Sequence, residues 1–541
     1  MDRLRPQLLA SLADYSGAKL AKDLTAGVIV AIIALPLSIA LALASGVSPE
    51  QGLYTAIAAG FVISALGGST VQIAGPTAAF ATIVAGVAAR NGMEGLAVAT
   101  LLAGALLVVM GLLGMGSMIR FIPLTITTGF TAGIAVTILV GQLKDFFGLT
   151  YRRSPVETVE KLEEFFAALP GVNLAAVGVG CLALFIQILW PRFFARVPAS
   201  LVAVLATGAL VQLANLPVNT IGDLYTISSS LPRPALPAFS YATVAAVLPD
   251  AFTIAILAAI ESLLSCVVAD EMTGQRHNSN MELVAQGLGN AASALFGGIP
   301  ATGAIARTAA NIKNGAVSPV SGMVHSVALL LVLVLLMPWA ALIPMPCIAA
   351  ILFMVAYNMS GWRSFVSLLR RSPKSDGAVL LLTFFLTVVF DLVVAIGVGL
   401  TLACLLFMKR MADEAVVEEW KYVEDPEKAD RFKAVPAHVM VYEITGPMFF
   451  GAVEKIPHLA AGEKRRVMIL RMRSVPALDI TALNGLRRLW EECRSRNIRL
   501  LFSHLNPQPL SVLEKSGLYA EIGPESFLPN IDEALALAQN L

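Results

Sequence analysis

Hydrophobic positions in the first three quarters of this chain come as long unbroken runs, not as stripes. The runs fall at about 24–44, 50–67, 75–89, 94–116, 122–142, 172–191, 198–216, 249–269, 283–297, 302–314, 319–337, 341–358, 376–390 and 392–408, with short breaks between them. A bilayer-spanning helix needs about 20 predominantly apolar residues, so the pattern predicts about fourteen membrane spans. The third and tenth runs are short and interrupted by Gly and Pro. From Met411 the pattern changes: MADEAVVEEWKYVEDPEKADRFK is charged, and the remainder of the chain alternates with period two and then 3.6. HVMVYEITGPMFFGA, RRVMILRMRS and IRLLFSHL read as strands, whereas ITALNGLRRLWEECRSRN and PLSVLEKSGLYAEIG read as helices. The expected organisation is a charged N-terminal segment (1–23), a transmembrane domain (24–410), a linker (411–433) and a small α/β domain (434–541).

Composition agrees. Hydrophobic residues make up 57% of the 541 positions and charged residues 14%, against about 25% charged in soluble proteins. A formal net charge of +1 gives no reason to invoke nucleic acid. The five cysteines, Cys181, Cys266, Cys347, Cys404 and Cys493, are dispersed without disulfide or metal spacing, and no cofactor is expected. The start is not a cleavable signal peptide, because the first apolar run is long enough to span. An even number of spans puts both termini on one side. Arg3, Arg5, Lys19, Lys22, Arg192, Arg196, Arg276, Arg363, Arg370, Arg371, Lys374, Lys409 and Arg410 fall on that side, outnumbering Lys144, Arg152, Arg153 and Lys161 opposite. Both termini are therefore expected in the cytoplasm.

A weak repeat divides the membrane region. QGL at Gln51–Leu53 recurs at Gln286–Leu288, and SALGG at Ser64–Gly68 recurs as SALFGG at Ser293–Gly298. Seven spans per half is odd, so the halves must be inverted, as in many carriers. Each repeat precedes a break: GGSTVQIAGPTAAFATIVAG (67–86) and FGGIPATGAIARTAANIKNG (296–315). Gly75–Pro76 is expected to open one half-helix, and a second is expected from about Thr302. Irregular backbone at membrane depth survives only inside protein or beside a cavity. Two helix N-termini aimed at one point would attract an anion. Thr77, Ala78, Ala79, Thr302, Gly303 and Ala304 are small enough to let it approach.

Two charges stand out. Glu261 is the only one among the nineteen residues from Ala251 to Ala269, and Ala258, Glu261 and Ser265 share a helix face. A carboxylate at that depth costs roughly 2.5–3.5 kcal/mol and usually marks a transport path. Proton coupling through Glu261 and a purely structural ion pair are the readings it leaves open. Arg307 lies in the second half-helix, either to hold an anion or to pair with Glu261. His325, Asn358 and Gln142 read as local hydrogen-bonders, Asp391 as a turn, and Gly129 and Gly133 as a GxxxG helix contact.

The stretches ALPLSIALALASGVSPEQGLYTA, IAGPTAAFATIV, AAIESLLSCVVADEMTG and AIARTAANIKNGAVSPVSG resemble the SulP (sulfate permease) family of anion transporters along essentially the whole chain, and the tail resembles a STAS domain. The wording is most similar to the bacterial branch that contains a C4-dicarboxylate transporter. The resemblance implies a seven-plus-seven inverted repeat of a core and a gate domain, usually as a homodimer. It places substrate-binding roles on Thr77, Ala78, Ala306 and Arg307, with Glu261 opposite. Many relatives carry glutamine where this chain has Leu37 and serine where it has Ala306. In the tail, Asp479 and Thr481 open a helix. Capping explains both, and the family position makes Thr481 a phosphorylation candidate. The function expected is secondary active transport of a small anion (a dicarboxylate such as succinate or fumarate, bicarbonate, or sulfate), coupled to H+ or Na+. A nucleobase-type permease, an anion channel and a membrane-anchored sensor are the alternatives, and an enzyme is not expected.

Overall fold

The computed structural model describes residues 4–117, 123–153, 155, 157–194, 197–227, 229–390, 392–419, 435–457 and 465–541. The expectations placed on Arg3, Arg196, Asp391 and residues 420–433 lie outside these. Contacts divide the chain into two units, Met1–Leu400 and Thr401–Leu541.

The first unit is helical. In chain order its helices are α1 (Gln7–Leu12), α2 (Gly17–Ala44), α3 (Pro49–Leu66), α4 (Ala81–Leu112), α5 (Leu124–Phe146), α6 (Thr158–Ala168), α7 (Leu174–Phe193), α8 (Ala199–Leu213) and α9 (Ile221–Leu224). Then come α10 (Tyr241–Thr273), α11 (Ser279–Leu295), α12 (Ile305–Lys313), α13 (Val320–Ala340), α14 (Met345–Ser360), α15 (Trp362–Arg371), α16 (Lys374–Val389) and the start of α17 (Leu392–Glu414). Gly92, at φ 67° and ψ −175°, breaks α4 into two spans. With that break, every expected span has its helix. Seven of the described helices are long and apolar enough to cross a membrane unaided. Others, such as α8 and α12, are shorter. The nine residues of α12 rise only about 14 Å at 1.5 Å per residue.

Helices α2, α3, α4, α10, α11, α12 and α13 pack on one another, and α5, α7, α8, α14 and α16 form a second group. Glycine lets the helices close up. A Cβ on Gly129 would stand 2.8 Å from the Leu380 carbonyl oxygen, and one on Gly133 would stand 2.6 Å from Thr387 Cβ. The GxxxG pair therefore seats α5 against α16. Helices α6 and α15 lie in breaks of the hydropathy pattern and are strongly amphipathic. The first is acidic and the second basic, and Phe365 anchors α15 to Phe384 of α16, ring centroids 5.3 Å apart.

Two short strands, β1 (Ala74–Gly75) and β2 (Thr302–Gly303), belong to the first unit. The second unit holds the rest of α17 and a five-stranded sheet in the order β3 (Val416–Glu419), β4 (Val439–Thr445), β5 (Val467–Ser474), β6 (Arg499–Ser503) and β7 (Phe527–Leu528). Strand β3 is antiparallel to β4, and the remaining pairs are parallel. Residues 411–414 and 416–419, expected as linker, are thus the end of α17 and the sheet edge. Helices α18 (Ile480–Ser495), α19 (Pro507–Lys515), α20 (Leu518–Ile522) and α21 (Ile531–Gln539) cover the sheet. Met468, Leu470, Leu486, Leu489 and Phe502 fill one core; Val441, Ile469, Leu501 and Ala534 fill the other.

Candidate functional site

The two breaks meet. Strands β1 and β2 pair antiparallel, Ala74 opposite Gly303 and Gly75 opposite Thr302. The Ala304 N–H donates to the Ile73 carbonyl at 2.8 Å, extending the bridge. This pairing corrects two expected helix starts. Pro76 does not open a helix: Thr77 is extended, a 3-10 turn runs over Ala78–Phe80, and α4 begins at Ala81. Likewise α12 begins at Ile305 and not near Thr302. The physical reason is backbone satisfaction: extended chain inside a membrane must find partners, and each break supplies the other's.

Side chains complete the accounting. Asn290 clamps Ala301, accepting from its N–H at 2.8 Å and donating to its carbonyl at 2.9 Å. The Thr55 hydroxyl accepts from Ile299 N–H at 2.7 Å, and Thr308 Oγ1 accepts from Ile73 N–H at 3.1 Å. Ser262 Oγ accepts from Gly303 N–H at 3.1 Å. Asn311 donates to the Val71 carbonyl at 2.9 Å and to Ser321 Oγ at 2.8 Å. A further lock lies at the start of α2. Fully buried Asp23 accepts from Val317 N–H at 2.8 Å, from Ser318 N–H and hydroxyl, and from the Tyr15 hydroxyl at 2.8 Å. None of these was singled out from sequence, although each is a polar residue in or beside an apolar run.

Against this scaffold the expected site residues separate into two groups. Thr77, half-buried, donates its hydroxyl to Glu261 Oε2 at 2.8 Å, linking the first half-helix to α10. Ala78 is 6% exposed, and Ala306 opens to the surface. Arg307 is 3% exposed and donates through Nη2 to the Pro76 carbonyl at 3.1 Å. Its charge therefore sits between the two half-helix starts. The other group is structural. Ser265 is wholly buried and bonds Thr308 at 3.2 Å, fixing α10 to α12 rather than lining an opening. Thr302 is wholly buried, bonded to Ser262 Oγ at 2.7 Å and donating to the Ala258 carbonyl. Ala79 is also wholly buried. Among the described residues no ion pair joins Glu261 to Arg307: the carboxylate takes Thr77 and the guanidinium takes Pro76. His325, expected to hydrogen-bond locally, is wholly buried and neither ring nitrogen has a protein partner. In the second unit Asp479 caps α18, accepting from Ala482 N–H at 2.8 Å and from Phe450 N–H at 2.9 Å, beside exposed Thr481.

Facing half-helices with small residues at their starts and, among the described residues, a buried arginine beside them belong to a helical unit with seven helices long and apolar enough to cross a membrane; the class is a multi-pass membrane protein with an α/β tail domain. Residues 20–383 match the Sulfate permease family and residues 433–534 match the STAS domain. The chain belongs to the sulfate permease family, and its class is transporter, not enzyme. It is 39% identical over 525 residues, 96% of this chain and 98% of the relative, to the putative sulfate transporter YvdB of Bacillus subtilis (strain 168). It is 31% identical to the bicarbonate transporter BicA of Picosynechococcus sp., over 95% and 94% of the two chains. The fold matches the murine Slc26a9 anion transporter in the inward-facing state with a TM-score of 0.89, covering 99% of this chain and 94% of that one at 18% identity.

Proposed function

We propose that this chain is a secondary active carrier of a small anion, with sulfate, bicarbonate or a dicarboxylate such as succinate or fumarate as cargo. The observation that carries the reading is the β1–β2 bridge, which holds two helix N-termini head to head with Arg307 between them. Each terminus presents unpaired N–H groups and a partial positive charge, and Arg307 adds a full one. Thr77, Ala78 and Ala306 would border the anion. Glu261 sits opposite it and would repel it, so a proton or Na+ on Glu261 offsets that repulsion and couples cation to anion. Ser265, Thr302 and Ala79 serve by holding these parts in place. The leucine at position 37 and alanine at 306 leave recognition mostly to backbone N–H groups and charge.

Movement of the α2–α4 and α10–α13 group against the α5–α8 and α14–α17 group would expose the seat to each side in turn. The basic breaks favour both termini in the cytoplasm of a bacterial inner membrane, and a homodimer fits the family. Thr481, exposed beside the Asp479 cap, is the regulatory candidate; mass spectrometry of the chain purified from its host would find phosphate there, and a peptide always unmodified argues against it. Transport itself is tested by uptake into proteoliposomes of labelled sulfate, bicarbonate, succinate and fumarate, with and without H+ or Na+ gradients. Flux saturating with one anion is expected. Non-saturating flux would indicate a channel, and binding without flux a sensor.

A further inference from the structure

Helix α15 carries charges that the anion seat does not use. Its ten residues, WRSFVSLLRR, join α14 to α16. Gly361, at φ 51°, turns the chain sharply out of α14, and extended Ser372 and Pro373 lead it into α16. Ten residues rise only about 15 Å at 1.5 Å each, half of a hydrocarbon core of about 30 Å. The helix is too short to cross, and its three arginines make the membrane interior expensive.

Its residues are sorted by face. Trp362, Phe365, Val366 and Leu369 recur at steps of three and four as an apolar stripe, and Arg363, Ser367 and Arg370 form a polar stripe beside it. Part of the apolar stripe is used inside the protein. Phe365 meets Phe384 of α16, and Leu369 Cδ1 lies 3.7 Å from where a Cβ on Gly377 would stand. The rest is left outside: Trp362 is 48% exposed and Leu369 40%. Trp362 donates from Nε1 to the hydroxyl of exposed Tyr357 at 3.4 Å, and the Arg363 guanidinium lies over the indole, 5.5 Å from its ring centroid. Exposed Trp and Tyr beside arginines are the composition of a membrane–water boundary.

The charge is one-sided. No Asp or Glu occurs from Leu283 to Ser375, and Asp376, in the first turn of α16, accepts from the Ser375 hydroxyl at 3.2 Å. Helix α15 packs on α5 and α16. On α5 the acid is Asp145 in the last turn, whereas Gly129, in the first half, is the residue that meets Leu380 of α16. Arg363, Arg370 and Arg371 are all exposed.

We infer that α15 lies in the membrane–water interface and binds anionic phospholipid, with Arg363 and Arg370 on the headgroup phosphates and Trp362 among the upper acyl chains. The inference goes beyond the anion-carrier reading and needs only the multi-pass membrane class. Charge and shape together select the occupant. A soluble anion would satisfy the arginines but leave Trp362 and Leu369 in water. A zwitterionic lipid would cover the apolar stripe but bring no net charge to the arginines. An anionic phospholipid does both, its phosphate accepting charge-assisted hydrogen bonds from guanidinium. Each basic residue at an anionic surface strengthens attachment about five-fold. Because α15 is seated on α5 and α16, lipid bound there braces those helices at the leaflet surface.

The test uses the full chain in phosphatidylcholine vesicles with increasing phosphatidylglycerol whose acyl chains are brominated, a quencher of tryptophan fluorescence. The difference between wild type and Trp362→Phe isolates Trp362 among the five tryptophans. Trp362 should be quenched, and more readily than by brominated phosphatidylcholine at the same content. Arg363→Gln and Arg370→Gln should each lower that preference about five-fold. Arg363→Lys and Arg370→Lys, which keep the charge, should retain most of it, and salt should weaken it. Should a glutamine variant fail to fold, wild type at low and high salt supplies the comparison. Preference unchanged in folded glutamine variants, preference unmoved by salt, or a Trp362 that neither lipid quenches would overturn the inference and leave the carrier reading untouched. Competition by glycerol 3-phosphate would overturn it in favour of a soluble-anion site.

Discussion

Replacing Gly75 by alanine tests the site through a single methyl group. The strand residue opposite is Thr302, and the methyl would stand 2.6 Å from Arg307 Nη1 while its next neighbours, Ala56 Cβ and Cα, lie at 3.5 and 3.6 Å. No backbone atom is closer, and Gly75 does not adopt the left-handed conformation that only glycine tolerates cheaply. The strand therefore stays and the guanidinium moves. Its hydrogen bond to the Pro76 carbonyl, 3.1 Å long, is then lost or bent. A hydrogen bond to a charged group contributes about 1.5–3 kcal/mol. At 1.4 kcal/mol per factor of ten, misplacing that charge should weaken anion affinity by about 10–150-fold. The assay is concentration-dependent uptake in proteoliposomes, with thermal unfolding of the same preparation. KM should rise in that range, and the unfolding temperature should fall by no more than the loss of that one hydrogen bond explains. Gly141→Ala on α5 is the control, since a Cβ there meets nothing within 4 Å. A Gly75→Ala carrier with unaltered KM would refute the placement of Arg307 in the anion seat.

Three further outcomes are expected. Gly133→Val drives a Cβ to 2.6 Å from Thr387 Cβ, an overpacking worth about 1–3 kcal/mol, and should lower the unfolding temperature; an unshifted melt would show that α5 and α16 are not closely seated. Asp23→Ala leaves the Val317 and Ser318 N–H groups without an acceptor, at about 1–3 kcal/mol each, and should cut the yield of folded protein, whereas Asp23→Asn should recover part of it. Burial, with Glu492 adding to it, pushes the Cys493 thiol up to about 12, so almost no thiolate exists at pH 8. Iodoacetamide should modify Cys493 only after unfolding, where the pKa returns to about 8.5, and rapid labelling of the native chain would contradict its burial.

How much of this was legible in the residues depends on range. Apolar run length decided the spans, because lipid leaves the backbone no partner but itself. The abrupt charge at Met411 announced the second unit, though the edge strand Val416–Glu419 was read as linker because its pairing with β4 is not local. The Gly-Pro breaks showed where helices stop, and the isolated charges Glu261 and Arg307 showed where chemistry concentrates. The starts of the half-helices were misplaced, from Pro76 to Ala81 in the first and from Thr302 to Ile305 in the second, since nothing in 67–86 says that its extended stretch pairs with 296–315.

Taken alone, the sequence determined the number of spans, the two interruptions and the inverted halves, because each depends on composition or spacing along the chain, and its motifs carried the resemblance to the family. Only the tertiary structure decided that Ala74–Gly75 lies on Thr302–Gly303, that Thr77 rather than Arg307 holds Glu261, and that Ser265 and Thr302 are fasteners. Those choices turn on which donors and acceptors, distant along the chain, arrive within hydrogen-bonding reach of one another, as when Thr302 meets Ser262 at 2.7 Å across 40 residues and Thr77 meets Glu261 at 2.8 Å across 184. Hydrogen bonds of that reach leave no periodicity behind, so they become visible only once the helices are packed.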